Sequence, residues 1–423
     1  MKYSKSTTFI VLFAGFLLLY YLTSFSKVPF GDCMGFVIDF ERAKWITSIT
    51  SMSHFLYVNT GILLHQIFPN ISSIEIGRMI SVFSSAICIS LIYLLLCEFG
   101  KNKKIAFWLS VAFGLGFTFW RNAANLEVYT FNAIFALLFY LFLVKSLKTG
   151  TLKYYLFTGI SLGIGFTSHI QNIMLLPILF AVPILFYKQH RFKTVLPLLI
   201  SLLCLGIIFG VNHIQNQASN QVLSSDSKWV RETFTKDFSQ YLKDILKAAG
   251  YLVYNVWFLI YFIFSGFLSL FHKDKKLSII LFVSILFNLG FATFYAATDN
   301  YNYFIISYIV LFIYIYQGIL ENKIRWLSFK YLKFGILLFP LFYFVSYKIA
   351  DNTSFGKEFH ESKAYKGGLK YYMLPWLNNN VGILEFTIRG KTAPEDISWM
   401  TQPANEYIER TKHKYSREEL EKQ

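Results

Sequence analysis

The sequence predicts an all-α polytopic membrane protein of about eleven transmembrane helices, with a small extracytoplasmic C-terminal tail or domain. Three observations carry that reading. Of 423 residues 55% are hydrophobic and only 15% charged, where a soluble chain would carry roughly 25% charged residues. The deficit is gathered into long apolar runs, giving a mean hydropathy of +0.46. The basic residues between those runs are heaped in every second loop.

The elements follow in order. Lys2 and Lys5 precede an apolar run at 8–25 that is too long for a signal-peptide core and has no small-residue cleavage site before Lys27. It reads as an uncleaved anchor with its basic end in the cytoplasm. Runs of ~17–25 apolar residues can cross a bilayer as helices, and further spans fall near 76–98, 105–120, 128–145, 155–170, 173–187, 195–213, 250–271, 277–297, 303–320 and 333–349. The pair 155–170 and 173–187 is short, and Pro177 and Pro183 interrupt its second member, as in a tilted or broken hairpin. The stretch 55–68 is shorter still and reads as a re-entrant or interfacial helix.

A net charge of +16 would suggest a nucleic-acid partner in a soluble protein, but its placement excludes one here. The tail 351–423 holds 11 basic and 11 acidic residues, so the whole excess lies in the membrane part. With the N-terminus inside, the inner loops carry 18 basic and 3 acidic residues and the outer loops 10 of each. Membrane insertion selects that asymmetry. The chain divides into a transmembrane domain, 1–350, with a first outer loop at 26–75 and another at 214–247, and an extracytoplasmic tail at 351–423. The loop at 214–247 is spaced like an amphipathic surface helix. In the tail, "VGILEFTI" reads as a strand and the last twenty residues as a charged helix. Cys33, Cys88, Cys97 and Cys204 make no disulfide framework.

Four polar constellations fall on the outer side. "PFGDCMGFVIDFERAKW" carries Asp32, Asp39 and Glu41, and Gly31 permits a backbone turn that could aim Asp32 inward. "FTFWRNAANLEVYTFN" carries Arg121, Glu127, Tyr129 and Asn132; Glu127 opens a helix from outside, where a carboxylate is favoured. "GFTSHIQN" places His169 at an outer turn, and "TDNYNY" places Asp299, Asn300 and Asn302 at another. Solvated charge, helix capping and turn chemistry are the bland accounts of each. No P-loop, H-E-x-x-H zinc helix or G-x-S-x-G elbow is present.

Taken in order, "GD" after the first span, "HFLYVNTGILLHQIF", "FWRNAANLEVYTFNAIF" and "LGIGFTSHIQNIMLLP" resemble the bacterial protein O-mannosyltransferase-like family. That family is a branch of the GT-C membrane glycosyltransferases, which use polyprenyl-phosphate-linked sugars. The resemblance covers roughly residues 1–190. It implies that Asp32 is the family's first-loop acid, that Glu127, Tyr129 and Asn132 are its Glu-Val-Tyr-x-x-Asn run, and that His169 and His54 are its two histidines. The chain departs from the family at Gly35, where an acid often stands, and at Phe55 and Leu56, where a diproline follows the His. Asp39 or Glu41 could substitute for the missing acid.

The resemblance implies a glycosyltransferase acting by inverting displacement. Asp32 and Glu127 are the catalytic candidates, and Arg121, His169, His54, Tyr129, Asn132 and Asp39 the substrate-binding ones. Partners are a polyprenyl-phosphate sugar, an extracytoplasmic acceptor and membrane lipids. No cofactor or divalent metal is expected, since cationic side chains can neutralise one phosphate. The Lys-, Ile-, Phe- and Asn-rich usage looks like that of an AT-rich bacterium, with the site and C-terminus on the periplasmic side of its inner membrane; a eukaryotic origin would instead place the site in the endoplasmic reticulum lumen. A transporter or lipid flippase without covalent chemistry is the alternative, but such proteins commonly show internal repeats and midplane charges, and neither is evident here.

Overall fold

Residues 4–215, 227–297, 300–322 and 329–423 are described by a computed structural model. Among them the chain is helical, with no strand. The helices are α1 (Lys5–Thr23), α2 (Cys33–Arg42), α3 (Phe55–Ile67), α4 (Ser73–Phe99), α5 (Lys103–Leu115), α6 (Phe117–Ala124), α7 (Tyr129–Thr149), α8 (Leu152–Ser168), α9 (Leu176–His190) and α10 (Leu196–Ile214). Beyond α10 come Ser227–Phe234, Phe238–Val256, Tyr261–Lys273, Lys275–Phe294 and Ile305–Leu320, then a bent pair, Phe329–Leu337 and Phe339–Asp351.

Among the described residues eight helical segments are long and apolar enough to cross a membrane, or nine if the pair bent by 53° is one span. The predicted runs at 105–120 and 155–170 fall on helices of 13 and 17 residues, α5 and α8. The first run is cut by Gly116, which ends α5 and starts α6 with an extended ψ of 135°. The stretch at 55–68 is a helix of its own, α3, packed against α2 and α4.

Phe238–Val256 and Tyr261–Lys273 join through a break at Trp257 into 36 residues. That is roughly 50 Å of helix against a hydrocarbon layer of ~30 Å. The first half therefore stands clear of the layer. It exposes Phe238, Leu242 and Leu246 beside Lys243, the amphipathic spacing read from the sequence. Residues 216–226 of that loop, and Thr298 and Asp299 of "TDNYNY", lie outside the described residues.

The most buried spanning segments are α4 and Asn300–Leu320, with 78% and 94% of their apolar windows inside. Gly266 shows how tightly the latter is gripped. A Cβ there would stand 1.7 Å from the Tyr314 carbonyl, so only glycine lets Tyr261–Lys273 lie against it.

The tail folds back onto the first loop. Leu377 N–H donates to Thr23 O at 2.9 Å, Ile383 N–H to Val28 O at 2.9 Å, and Val28 N–H to Gln423 O. Asn380 Oδ1 accepts from the Ser26 and Lys27 amides, and Asn380 Nδ2 returns a bond to Lys27 O. Ion pairs Lys27–Glu385 (2.5 Å), Arg42–Glu406 (2.5 Å) and Lys414–Glu41 (2.8 Å) surround these bonds. The strand expected at "VGILEFTI" is instead a short helix, Ile383–Ile388. With no partner strand beside it, the run gains by burying Ile383, Leu384 and Phe386 while turning Glu385 to Lys27.

Those pairs set a pH window. The Arg42 hydrogen bond holds Glu406 down to about 2, and the Lys27 hydrogen bond holds Glu385 below the usual carboxylate range. An unpaired glutamate titrates near ~4.3, so the lowered carboxylates favour docking fully above that value and lose their contribution as pH falls toward 2. Limited proteolysis of the tail is expected to be unchanged from pH 8 to 5 and to accelerate between about 4 and 2. Because the pairs are partly exposed, the effect is modest.

Candidate active site

The tail, the first loop, the α6–α7 junction and the α8 terminus meet at one end of the bundle. Gly31 has a φ of +124°, a conformation that favours glycine, and turns the chain directly into α2. Asp32 follows as the residue before α2. It is exposed and does not cap the helix with its side chain. The turn lays the loop beside a second carboxylate, with a Cβ built on Gly31 lying 3.8 Å from Glu127 Oε1.

Glu127 is held from two sides. Its backbone N–H donates to Ser81 Oγ of α4 at 3.3 Å, and its Oε1 accepts from Asn125 Nδ2 at 3.4 Å. Asn125 Oδ1 in turn accepts from Cys33 Sγ at 3.3 Å, closing a chain of bonds between the loop that bears Asp32 and the loop that bears Glu127. Glu127 therefore bonds sideways to Asn125, and α7 itself starts without a side-chain cap.

Arg121 is 5% exposed on α6. Its guanidinium lies 4.1 Å from the centre of the Tyr371 ring, and Nη1 donates to Leu374 O at 3.5 Å. A cation is thus held at the site by tail residues that carry no charge.

Behind these groups stands an aromatic cluster. His54 and His169 are 5.1 Å apart, Tyr129 and His169 5.4 Å, and Tyr303 is 5.6 Å from Tyr129 and 5.8 Å from His169. His54 opens α3 from a left-handed φ of 40°. Burial pulls its imidazole down to about 4, against a hydrogen bond with the Ser168 backbone. His169 Nδ1 accepts from the Gln171 amide at 3.1 Å, which leaves its proton on Nε2. Both rings are therefore neutral at pH 7 and offer hydrogen-bonding groups without charge.

Two sequence candidates stand apart from this cluster. Asn132 Oδ1 accepts from Asn172 Nδ2 at 2.6 Å inside the bundle, a bond between α7 and the segment after α8. Asp39 shares a face of α2 with Asp32 but lies two turns, roughly 10 Å, further along. It pairs there with Arg42 at 3.1 Å, and burial raises its carboxyl above the usual range despite that partner. Glu41 is tied to Lys414, His65 and Ser73. Both acids thus sit in ion pairs, Asp39 one helical turn beyond Gly35. Sequence reading did not single out Ser81, Asn125, Tyr303, Tyr371 and Met400: Asn125 and Tyr303 lie inside the quoted polar runs but carry no charge, and the other three lie outside them.

Residues 62–212, from α3 through α10, match the family model described as dolichyl-phosphate-mannose-protein mannosyltransferase. No curated protein sequence matches the chain. Among solved structures, ArnT from Cupriavidus metallidurans bound to undecaprenyl phosphate is similar with a TM-score of 0.58 at 12% identity, over 84% of this chain and 68% of that one. The apo oligosaccharyltransferase of Archaeoglobus fulgidus is similar with a TM-score of 0.53 at 13% identity, over 97% of this chain and 64% of that one. At such identities the likeness is one of fold. The resemblance to the GT-C membrane glycosyltransferases stands on the matching segment and on that fold together.

Proposed function

We propose that this GT-C-type glycosyltransferase moves a sugar from a polyprenyl-phosphate donor to an acceptor hydroxyl on the far side of a bacterial inner membrane, with inversion. One observation carries the reading: an exposed carboxylate, Asp32, follows a glycine turn that lies against Glu127, in an assembly that also holds the buried guanidinium of Arg121. In the proposed step the acceptor oxygen attacks the anomeric carbon as the bond from that carbon to the phosphate oxygen breaks. The acceptor proton passes to Asp32, and the leaving polyprenyl phosphate keeps the bonding electron pair. Arg121 pairs with the phosphate, for which its planar fork suits two oxygens at once.

Glu127, fixed through Ser81 and Asn125, orients the acceptor from the side opposite the donor. His54, His169, Tyr129 and Tyr303 offer ring faces and neutral hydrogen-bonding groups to the sugar. Asn132 acts from behind by fixing Asn172, and Asp39 by fixing Arg42, which also holds the tail. One phosphate charge is matched by one guanidinium, so no divalent metal is invoked.

The test supplies purified protein in lipid with a radiolabelled polyprenyl-phosphate sugar and a mixed set of hydroxyl acceptors. Label moving to an acceptor supports the proposal; label crossing the bilayer still attached to its lipid overturns it in favour of a transporter. Orientation is checked in the same cells. A cysteine at exposed Ser354 is expected to react with an impermeant thiol reagent from outside, and one at Asn102 to stay protected.

A further inference from the structure

The acid and the cation of the site belong to different elements, the loop before α2 and helix α6, and one side chain of the tail touches both. The Tyr371 hydroxyl donates to Phe30 O at 3.2 Å, in the peptide that joins it to Gly31, while the Tyr371 ring carries the Arg121 guanidinium at 4.1 Å. The N–H of that same Phe30–Gly31 peptide donates to Met400 Sδ at 3.2 Å. Met400 is 2% exposed, and the Phe30 ring packs edge-on against Phe386 and Tyr365, both of the tail. The two residues that precede Asp32 are thus gripped by the tail at a carbonyl, an amide and a ring.

We propose that Tyr371 and Met400 are positioning residues, through which the tail sets the place of Asp32 relative to Arg121 and so couples proton removal to phosphate binding. This rests on the function proposed above. The two halves of Tyr371 act on different steps. Its hydroxyl orients the peptide that leads into Asp32, and its ring holds the guanidinium in the plane that meets the phosphate. Gly31 makes the grip matter, because a residue at φ +124° has no side chain of its own to hold the turn. A tail that only packed against the loop would make Tyr371→Phe and Tyr371→Leu two grades of one stability defect.

The test compares wild type, Tyr371→Phe, Tyr371→Leu and Met400→Leu in lipid nanodiscs by two readouts: exchange of the Gly31 backbone amide, and kinetics with a polyprenyl-phosphate sugar. Tyr371→Phe keeps the ring and is expected to hold the donor KM within about twofold while kcat falls about three- to tenfold, the loss of one ordinary hydrogen bond. Tyr371→Leu removes the ring as well and is expected to raise the donor KM about 3- to 30-fold, the worth of a partly buried cation–π contact. Met400→Leu is expected to speed exchange at Gly31 and lower kcat, leaving the donor KM unchanged. Wild-type kinetics and exchange in Tyr371→Leu would overturn the proposal. So would equal losses in both Tyr371 variants that track only their melting temperatures. If Tyr371→Leu does not fold, the Tyr371→Phe and Met400→Leu pair decides by the same split. Absence of transfer by wild type overturns the proposed function instead, and Gly31 exchange then still decides whether the tail holds the loop.

Discussion

Asp32→Asn is expected to fold and insert like wild type and to lose sugar transfer by about 10²- to 10⁴-fold, the usual contribution of a general base. The substitution is nearly isosteric, at an exposed residue that does not cap its own helix, so the fold is expected to carry it. Donor binding, measured separately with polyprenyl phosphate, is expected to stay within a fewfold of wild type. The neighbouring acids sharpen the result. Asp39→Asn loses one ion pair to Arg42, and Glu41→Gln weakens bonds to Lys414 and Ser73. Both are expected to loosen the tail, seen as faster proteolysis, and to cost transfer much less than Asp32→Asn. Normal transfer by Asp32→Asn beside an inactive Asp39→Asn or Glu41→Gln would move the base along the loop, as the glycine at 35 allows. Full activity in all three would end the proposed mechanism.

Arg121→Ala is expected to lower kcat/KM for the donor about 10- to 100-fold, the cost of removing a charge-assisted hydrogen bond from a buried site. Arg121→Lys retains the charge but neither the fork nor the flat face that rests on Tyr371, and is expected to recover only part of that loss. Burial makes a control necessary, because a truncated Arg121 also leaves a gap under the tail. Arg121→Gln fills much of that gap without a charge. If it transfers as well as Arg121→Lys, the residue serves packing; if it falls with Arg121→Ala, charge on the phosphate is its contribution. Both histidines being neutral, neither can take over the cation's part near pH 7.

Much of this was legible in the sequence because bilayers demand long apolar runs. Among the described residues nine of the eleven runs expected to cross fall on segments long and apolar enough to do so, counting the bent pair as one, while those at 105–120 and 155–170 fall on shorter helices. The loop residues Asp32, Arg121, Glu127, Tyr129 and His169 could be singled out because a charge, tyrosine or imidazole beside an apolar run asks for an explanation. Their gathering into one cluster rests on contacts such as Cys33–Asn125, His54–His169 and Arg121–Tyr371, between segments far apart in the chain, which local pattern does not encode. The tail was the least legible part. A run of eight residues such as "VGILEFTI" fits a strand or a short helix equally well, and what arbitrates is whether a partner strand exists. Tyr371 and Met400 meet the loop 341 and 369 positions away. As an ordinary tyrosine and an ordinary methionine they carry no motif that would announce it.

That separation has a consequence for how the molecule is made. A ribosome adding roughly 5–20 residues per second emits the Gly31–Asp32 turn early and Tyr371 tens of seconds later. Throughout that interval the turn is synthesised and inserted while the side chains that grip it do not yet exist. A stalled or prematurely terminated product that carries every acidic, basic and imidazole group of the cluster would still hold a slack turn. Where the tail grips the turn as proposed above, the turn is set only once 351–423 has closed over the first loop.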